Sequence, residues 1–238
     1  MANLNNQTAI ITGGGSGIGL AIAAALVAEG MAVTLAGRDE KKLRRAAAPF
    51  EQKGGKVLVV PTDVAVAVHV ERMVAQTMKA FGRIDLLVNN AGIFKMGSAA
   101  ELAEADWDTV QATNLKGAFL CAKAVLPIMI KQRSGYIINI ASVAGKTGFG
   151  GASAYCASKF GMIGLTESLL EEAVSHRIRV TAICPGYVAT PMTERVPIPP
   201  NEMIPPEDIG KLVVDLLHLS PVTVIKEIVV QRTGSIGE

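Results

Sequence analysis

The sequence predicts an α/β protein in which one doubly wound parallel β-sheet is covered by helices on both faces. Seven short apolar runs typical of strands recur along the chain, and helical patterns lie between nearly all of them. Because the runs are almost continuously apolar, the strands should be buried on both faces, with right-handed crossovers between them. The length of 238 residues suits one large domain, so we expect a single three-layer domain over residues 1–238.

The predicted elements follow one another in a regular order. Gly30, Gly82 and Gly135 stand where a helix should end and pass the chain to the next strand. Residues 190–208 break this order, because their prolines exclude a regular helix and a central strand. We expect this segment to be a surface excursion that serves as a substrate lid. The strand sequences are TAIIT, AVTLA, KVLVV, DLLVN, YIINI, RVTAIC and KEIVVQ.

The composition indicates a compact soluble protein and disfavours several classes of partner. Half of the residues are hydrophobic and 18% are charged, which argues against disorder. The net charge is only +2 and the cations are scattered, so we expect no nucleic-acid partner. The apolar stretch at 18–37 is interrupted by Glu29 and Gly30, which indicates a helix, a turn and a strand rather than a membrane span. The N-terminus does not resemble a secretory signal, so a cytoplasmic location is expected.

The cysteines indicate neither a disulfide framework nor a metal site. The chain has an odd number of cysteines, Cys121, Cys156 and Cys184. They are far apart in the sequence and do not have C-x-x-C spacing. We therefore expect reduced and mostly buried thiols, and no metal.

A glycine-rich turn, TGGGSGIG at residues 12–19, lies between the first strand and an alanine-rich helix. Glycine lets the backbone approach a pyrophosphate closely, and the helix N-terminus offers unpaired N–H groups with a partial positive charge. This arrangement favours a bound dinucleotide, although the spacing differs from G-x-G-x-x-G and a simple tight turn is the alternative. The residues expected to bind the dinucleotide here are Gly13, Gly15, Ser16, Gly17, Ile18 and Gly19.

Further motifs follow in the same register: DV at 63–64, NNAG at 89–92, ASVAG around Ser142, YCASK at 155–159 and PGYVAT at 185–190. With T-G-x-x-x-G-x-G, this ordered set resembles the short-chain dehydrogenase/reductase family over residues 12 to about 190. Within the family it is similar to the 3-oxoacyl-acyl-carrier-protein reductases and related carbonyl reductases. The resemblance implies a Rossmann-like fold and hydride transfer between a nicotinamide cofactor and a carbonyl or secondary alcohol.

Tyr155 and Lys159 are four residues apart on a predicted helix, so both side chains can face the same cleft. An adjacent ammonium group favours the phenolate and should lower the pKa of the tyrosine towards neutrality, with help from a positively charged nicotinamide. The tyrosine would then act as an acid or base near pH 7. The small residues between the two, Cys156, Ala157 and Ser158, should allow the helix to pack closely.

The resemblance assigns roles to four catalytic residues. Tyr155 would exchange a proton with the substrate oxygen, and Lys159 would also hold the nicotinamide ribose. Ser142 would hydrogen-bond the same substrate oxygen, and its alternative role is to cap a loop. Asn114 would anchor a water molecule that links Lys159 to solvent, and its alternative role is that of a structural amide within a helix. A serine hydrolase is disfavoured because the sequence has no G-x-S-x-G motif, and its histidines lie outside these motifs.

The end of the second strand bears on the choice of cofactor. Family members that bind NAD carry an acidic residue there, whereas this chain has Gly37 followed by Arg38. A carboxylate repels a 2′-phosphate and a guanidinium binds it, so NADP(H) is favoured over NAD(H). The alternative is that Arg38 is a solvated charge and Asp39 the cap of the next helix.

The resemblance also places cofactor contacts at the ends of later strands. Asp63 would bind the adenine amino group, with Val64 beside it. The NNAG residues would pass under the adenosine ribose, unless they form only a low-bulk turn. The remaining cofactor contacts implied are Asn90, Ala91, Gly92, Pro185, Gly186, Val188 and Thr190.

The substrate is expected to be a small-molecule carbonyl compound, either a ketone or a 3-oxoacyl compound. The apolar lid residues Met192, Val196, Ile198 and Met203 suggest an apolar pocket wall. The C-terminal VIKEIVVQRTGSIGE departs from the 3-oxoacyl reductase pattern, which leaves a carrier-protein partner open. As in related enzymes, the helices that carry Asn114 and Tyr155 should form a homodimer or homotetramer interface. The alternatives are a redox sensor that binds NADP(H) without turnover, an NAD-dependent alcohol dehydrogenase of the same family, and a structural subunit of an assembly.

Overall fold

The computed structural model describes residues 4–235. The strands are β1 Thr8–Thr12, β2 Ala32–Gly37, β3 Val57–Pro61, β4 Leu86–Asn89, β5 Gly135–Ile140, β6 Ile178–Pro185 and β7 Glu227–Val230. The helices are α1 Gly17–Ala28, α2 Glu40–Gln52, α3 Ala67–Phe81, α4 Glu104–Gln111, α5 Gly117–Gln132, α6 Ser153–Ala173 and α7 Pro206–His218. Every strand lies within two residues of its predicted position, because each apolar run ends at polar, glycine or proline residues.

All the strand pairs are parallel, and the sheet order is β3-β2-β1-β4-β5-β6-β7. Both faces of the sheet are covered: Ile11 belongs to a core cluster with residues of α1, α2 and α7, and Ile10 to a cluster with residues of α3, α5 and α6. The winding changes direction between β1 and β4, and open α/β sheets bind their ligands at the carboxyl ends of strands at such a switch point. This confirms the predicted doubly wound, three-layer fold and positions a ligand site.

One predicted helix stop is wrong. Gly82 caps α3 in the left-handed conformation with φ of 78°, as expected, but α5 ends at Gln132 and Arg133 takes the left-handed position with φ of 53°. Gly135 is instead the first residue of β5. Its lack of a side chain matters for packing, because an ideal Cβ there would lie 2.5 Å from the sulfur of Met129.

The helices α4 and α5 are joined by a π-helical turn, Ala112–Lys116, into one helix of 29 residues. By length and composition alone, this helix could cross a membrane. In the fold, Val125 and Met129 on one side of it are fully buried in the core, whereas Phe119 remains 45% exposed. Its apolar residues are therefore shared between the sheet and an open surface.

The proline-rich segment is tied to the fold at its base. The N–H of Ala189 donates to Ile204 O at 3.0 Å, and the N–H of Ile204 donates to Tyr187 O at 2.9 Å. Between these contacts lie two short 3₁₀ turns, Pro191–Thr193 and Pro200–Glu202. The prediction of an irregular segment to residue 208 is wrong at its end, since α7 already begins at Pro206. Proline is tolerated at the first position of a helix because no intrahelical donor is needed there.

Candidate active site

The glycine turn after β1 is bonded directly to the turn after β4. Thr12 Oγ1 accepts hydrogen bonds from the N–H groups of Asn90 and Ala91, both at 3.0 Å. Asn90 Nδ2 donates in return to the carbonyl oxygens of Thr12 at 2.9 Å and Gly13 at 3.2 Å. An ideal Cβ on Gly19 would lie 2.5 Å from both Asn90 Nδ2 and Gly13 O. The turn therefore has no space for a side chain at position 19.

The N-terminus of α1 faces this turn with its donors available. Ser16 is the N-cap, and its side chain makes no capping hydrogen bond. Thr190 also packs on the turn, since an ideal Cβ on Gly17 would lie 3.0 Å from its Cγ2. Ile18 is half-buried against the core. This backbone cradle fits a pyrophosphate, because the first N–H groups of a helix have no intrahelical acceptor.

The end of β2 leads directly into α2. Arg38 is exposed, and Asp39 caps α2 by accepting the N–H of Lys42 at 3.0 Å. The capping role proposed as the alternative for Asp39 is thus present. Arg38 lies at the carboxyl end of β2 and has no hydrogen-bond or ion-pair partner among residues 4–235.

Asp63 and Val64 both have local structural contacts. Asp63 Oδ1 accepts the N–H of Ala65 at 3.0 Å, in the turn that leads to α3. Val64 is 6% exposed and packs so closely on Gly117 that an ideal Cβ there would lie 2.6 Å from Val64 Cγ2. The adenine contacts implied by the resemblance stay predictions beside these structural roles.

Tyr155 and Lys159 lie in the first turns of α6, next to the end of β5. Lys159 is 4% exposed, and its Nζ donates to Ile140 O at 2.8 Å. Nζ also lies 5.6 Å from the centroid of the Tyr155 ring, and the ring of Phe94 packs edge-on against Tyr155 at 5.1 Å between centroids. The predicted pair therefore shares one face of the helix, and Phe94 orients the phenol.

Ser142 connects the ends of β5 and β6 and approaches the phenol. Its Oγ accepts the N–H of Ala144 at 3.1 Å and donates to Pro185 O at 3.3 Å. The Ser142 hydroxyl also lies close enough to the Tyr155 phenol to act on its pKa. The capping role proposed as the alternative for Ser142 is present, and the same hydroxyl contacts the tyrosine.

The pKa values of the pair differ from the sequence expectation. Burial raises the pKa of Tyr155 above its usual value, and the nearby Ser142 hydroxyl only partly offsets this effect. Burial also lowers the pKa of Lys159 to about 8. In the protein without its cofactor, the pKa of Tyr155 is therefore raised and not lowered as expected, because desolvation outweighs the other effects. The lowering by Lys159 together with a positively charged nicotinamide stays a prediction.

Asn114 is fully buried in the π-helical turn and ties the loop after β4 to α6. Its Oδ1 accepts the N–H of Ile93 at 2.8 Å, and its Nδ2 donates to Ile93 O at 3.0 Å and Ser158 Oγ at 3.1 Å. Ser158 in turn donates to Tyr155 O at 2.7 Å. The side chain of Asn114 therefore acts as the structural amide proposed as its alternative, and the water relay stays a prediction. Ser158, predicted to be only a small spacer, is a hydrogen-bonding link.

Other predicted cofactor residues lie around this centre. Gly92 is next to Asn114, because an ideal Cβ on it would lie 3.4 Å from Oδ1. The N–H of Gly186 donates to Val230 O at 2.8 Å, which joins the ends of β6 and β7. Val188 is 3% exposed and belongs to the core.

The sequence interpretation missed a buried polar network beneath the site. Asn89 Nδ2 donates to Asn139 Oδ1 at 2.9 Å, and Asn139 Nδ2 donates to Thr166 Oγ1 at 2.8 Å. These bonds join β4, β5 and α6 where the site is built. An asparagine near the end of each of two apolar strands was the available signal, since a buried amide needs partners.

The parallel sheet with helices on both faces defines a Rossmann-like α/β protein. Its candidate ligand site consists of the glycine cradle at the switch point and the adjoining Ser142, Tyr155 and Lys159. Residues 7–199 match the family described as short chain dehydrogenase. The chain belongs to this family, and it is an oxidoreductase acting on CH–OH or C=O groups.

Two relatives and one solved structure illustrate the similarity. A 3-oxoacyl-[acyl-carrier-protein] reductase of Synechocystis is 42% identical over 197 residues, which cover 82% of this chain and 80% of that protein. The (2S)-[(R)-hydroxy(phenyl)methyl]succinyl-CoA dehydrogenase subunit BbsD of Thauera aromatica is 40% identical over 194 residues, which cover 82% of this chain and 78% of that protein. The crystal structure of a single-substitution variant of actinorhodin polyketide ketoreductase with NADPH has a TM-score of 0.89 and 33% identity, and the match covers 98% of both chains.

Proposed function

We propose that the protein is an NADP(H)-dependent carbonyl reductase, able to run in reverse as a secondary alcohol dehydrogenase, with Tyr155 as the general acid and base. The observation that carries this proposal is the contact of Ser142 with Tyr155 beside the buried Lys159, at the end of the sheet where the glycine cradle lies. A hydroxyl pair of this kind can bind one substrate oxygen, which is what carbonyl reduction requires.

In the reduction, Ser142 and Tyr155 hold the carbonyl oxygen of the substrate. The nicotinamide, when bound, supplies the hydride that adds to the carbonyl carbon. The hydroxyl proton of Tyr155 passes to the oxygen, so the products are an alcohol and a phenolate, and a proton from solvent restores the phenol. Burial raises the pKa of the phenol, so the proton that Tyr155 donates is present at neutral pH.

The cofactor would bind across the carboxyl ends of β1, β4, β5 and β6. The glycine turn and the N-terminus of α1 suit its pyrophosphate, and the Pro185–Thr190 loop would border the nicotinamide. Gly37 followed by the exposed Arg38 supports NADP(H), as does the ketoreductase crystallised with NADPH. An NAD-dependent enzyme is the second candidate because Asp39 is close by.

The proposed substrate is a 3-oxoacyl thioester or the corresponding 3-hydroxyacyl compound. Support comes from the two relatives, whose names give an acyl-carrier-protein and a CoA derivative. The apolar surface near Tyr155 is also suitable: Met96 is 78% exposed, and it approaches Gly151 at the entrance to α6. Met192 on the lid is 49% exposed, whereas Met203 is buried, so only part of the predicted apolar wall is open to a substrate.

The decisive test compares NADPH oxidation by the wild type and by Tyr155→Phe across ketones, aldehydes and 3-oxoacyl thioesters. We expect turnover with at least one class, and a loss of at least about 100-fold in the variant with cofactor affinity retained. Tyr136→Phe is the matched control, because its buried hydroxyl bonds Thr181 Oγ1 at 2.7 Å at the opposite end of β5. Cofactor binding without turnover over the whole panel would instead support a redox sensor.

A further inference from the structure

Lys42, in the first turn of α2, lies directly against the glycine turn. An ideal Cβ on Gly15 would be 3.3 Å from Lys42 Cγ and 3.6 Å from its Cδ. Leu43, the next residue, lies 3.4 Å from the same Cβ position and 3.5 Å from that of Gly37. The stem of Lys42 therefore occupies the corner between the carboxyl ends of β1 and β2.

The charges at this corner leave two cations without a counterion. Among residues 4–235, neither the Lys42 ammonium nor the Arg38 guanidinium has a hydrogen-bond or ion-pair partner. The carboxylates nearby make other contacts and no ion pair with either cation: Asp39 accepts the backbone N–H of Lys42, and Glu40 bonds Arg44 at 2.6 Å. Lys42 is half-buried, which holds its stem in place and reduces the entropy lost when its ammonium binds a ligand.

The position of this corner indicates which ligand group the two cations would meet. A pyrophosphate on the N-terminus of α1 places the adenosine ribose over the end of β2. Arg38 follows that strand end, and Lys42 reaches the same corner from the side of the glycine turn. A 2′-phosphate there would lie between a guanidinium and an ammonium, whereas a 2′-hydroxyl would gain little from either.

We propose that Lys42 is a second 2′-phosphate-binding residue, which acts together with Arg38 to set the preference for NADP(H). This inference rests on the proposed cofactor. It adds a residue of α2 to Gly37 and Arg38, the two residues at the end of β2 that favour NADP(H).

The test measures the dissociation constants of NADP⁺, NAD⁺, 2′,5′-ADP and 5′-AMP for the wild type and for Lys42→Met, which keeps the apolar stem. We expect the variant to bind both 2′-phosphorylated ligands about tenfold more weakly, and the other two within about twofold of the wild type. Lys41→Met is the matched control, because this neighbouring lysine is exposed and should leave all four constants unchanged. Lys42→Arg, which keeps the charge, should retain most of the preference.

Equal weakening of NADP⁺ and NAD⁺ in Lys42→Met would overturn the inference, because the lysine would then support the turn or the pyrophosphate. Unchanged constants would also overturn it. A wild type that prefers NAD⁺ would refute the proposed cofactor instead, and the ratio of 2′,5′-ADP to 5′-AMP binding would still decide the role of Lys42. If Lys42→Met fails to fold, the same four dissociation constants measured for Lys42→Gln decide whether Lys42 binds the 2′-phosphate.

Discussion

At the scale of single residues, Lys159 shows how burial changes the pKa of a side chain. In the sequence it follows the small residues Ala157 and Ser158, and in the fold its Nζ donates a hydrogen bond to Ile140 O. Burial is the main cause that lowers its pKa from 10.5 to about 8. Lys159 therefore changes charge within the pH range of an ordinary assay, which an exposed lysine does not.

This pKa predicts how stability depends on pH. Between pH 8 and 10.5 the unfolded chain holds a proton on Lys159 that the folded protein has lost, so the free energy of unfolding should rise with pH in that window. The rise should be up to about 1.4 kcal/mol per pH unit, and no slope from this group is expected below about pH 8. Urea unfolding of the wild type and of Lys159→Met, from about pH 7 to 10.5, measures it as the difference between the two proteins.

The exposed Lys41 provides the control for the loss of a lysine side chain, since Lys41→Met should leave the free energy of unfolding at pH 7 close to that of the wild type. A difference between the wild type and Lys159→Met that stays flat or falls from pH 8 to 10.5 would contradict the lowered pKa.

At the scale of elements, two turns assemble the site from separate parts of the chain. The π-helical turn aims Asn114 at the Ile93 backbone and at Ser158, which aligns α6 with the end of β4. The glycine turn bonds to Asn90 and so joins β1 to β4. The π-helical turn depends on the hydrogen bonds of Asn114, and the glycine turn on an approach so close that position 19 has no space for a side chain.

Asn114→Ala should therefore destabilise the protein and lower its turnover. The variant leaves the N–H and C=O groups of Ile93 and the Ser158 hydroxyl without their partner, which should cost about 3 kcal/mol in the free energy of unfolding. Gln111→Ala on the same long helix is the control. Its amide is half-buried and, within the described part of the chain, makes one hydrogen bond, to Ala154 O at 2.8 Å, so a loss of about 1 kcal/mol is expected. Denaturant unfolding measures both, and equal losses would argue against a special role for Asn114.

Gly19→Ala should weaken cofactor binding at least tenfold, on the order of 1.4 kcal/mol, because its Cβ would displace Asn90 and the Gly13 carbonyl. Gly54→Ala separates this effect from general destabilisation. Gly54 has a φ of 79° with nothing within 4 Å of an added Cβ, so alanine there should cost about 1–2 kcal/mol of stability and no cofactor affinity. Cofactor titration and thermal unfolding of both variants measure the two effects. A Gly19→Ala protein that binds the cofactor with wild-type affinity would contradict the proposal that the glycine turn binds the cofactor.

At the scale of the whole molecule, the helices that build the site also present an open apolar surface. A groove between the α4–α5 helix and α6 is lined by Leu115, Phe119 and Leu165, and Phe160 of α6 is 47% exposed. The same helices hold Asn114 and Tyr155, so a second copy bound on this surface would also brace the site. We propose a homo-oligomer that uses this surface.

Phe119→Arg should convert the protein to a smaller species, because it places a charge at the centre of the proposed interface. Sedimentation velocity at several protein concentrations measures the change. Val68→Arg is the control, since Val68 is 63% exposed at the start of α3, outside this groove. A wild type that sediments as a monomer at all concentrations, or a Phe119→Arg protein of unchanged mass, would refute the interface.

The fold and the proximity of Tyr155 and Lys159 were largely predictable. The apolar runs and the helices between them predict the sheet because a strand buried on both faces must be apolar throughout, and helix spacing alone puts Tyr155 and Lys159 on one face. The residues that were missed make contacts between distant segments. Phe94 packs on Tyr155, and Lys42 lies against Gly15, and no local sequence pattern connects the members of either pair.

The sequence by itself determined the fold class, the order of the elements and the residue types at the ends of the strands, because hydrophobic periodicity, proline and glycine act locally. Only the tertiary structure decided which groups meet and how strongly they are desolvated. Burial raises the pKa of Tyr155 and lowers that of Lys159, and the hydroxyl of Ser158 becomes a link between Asn114 and α6. The physical reason is that desolvation and hydrogen bonding depend on the three-dimensional surroundings of a group, which packing creates from segments far apart in the chain.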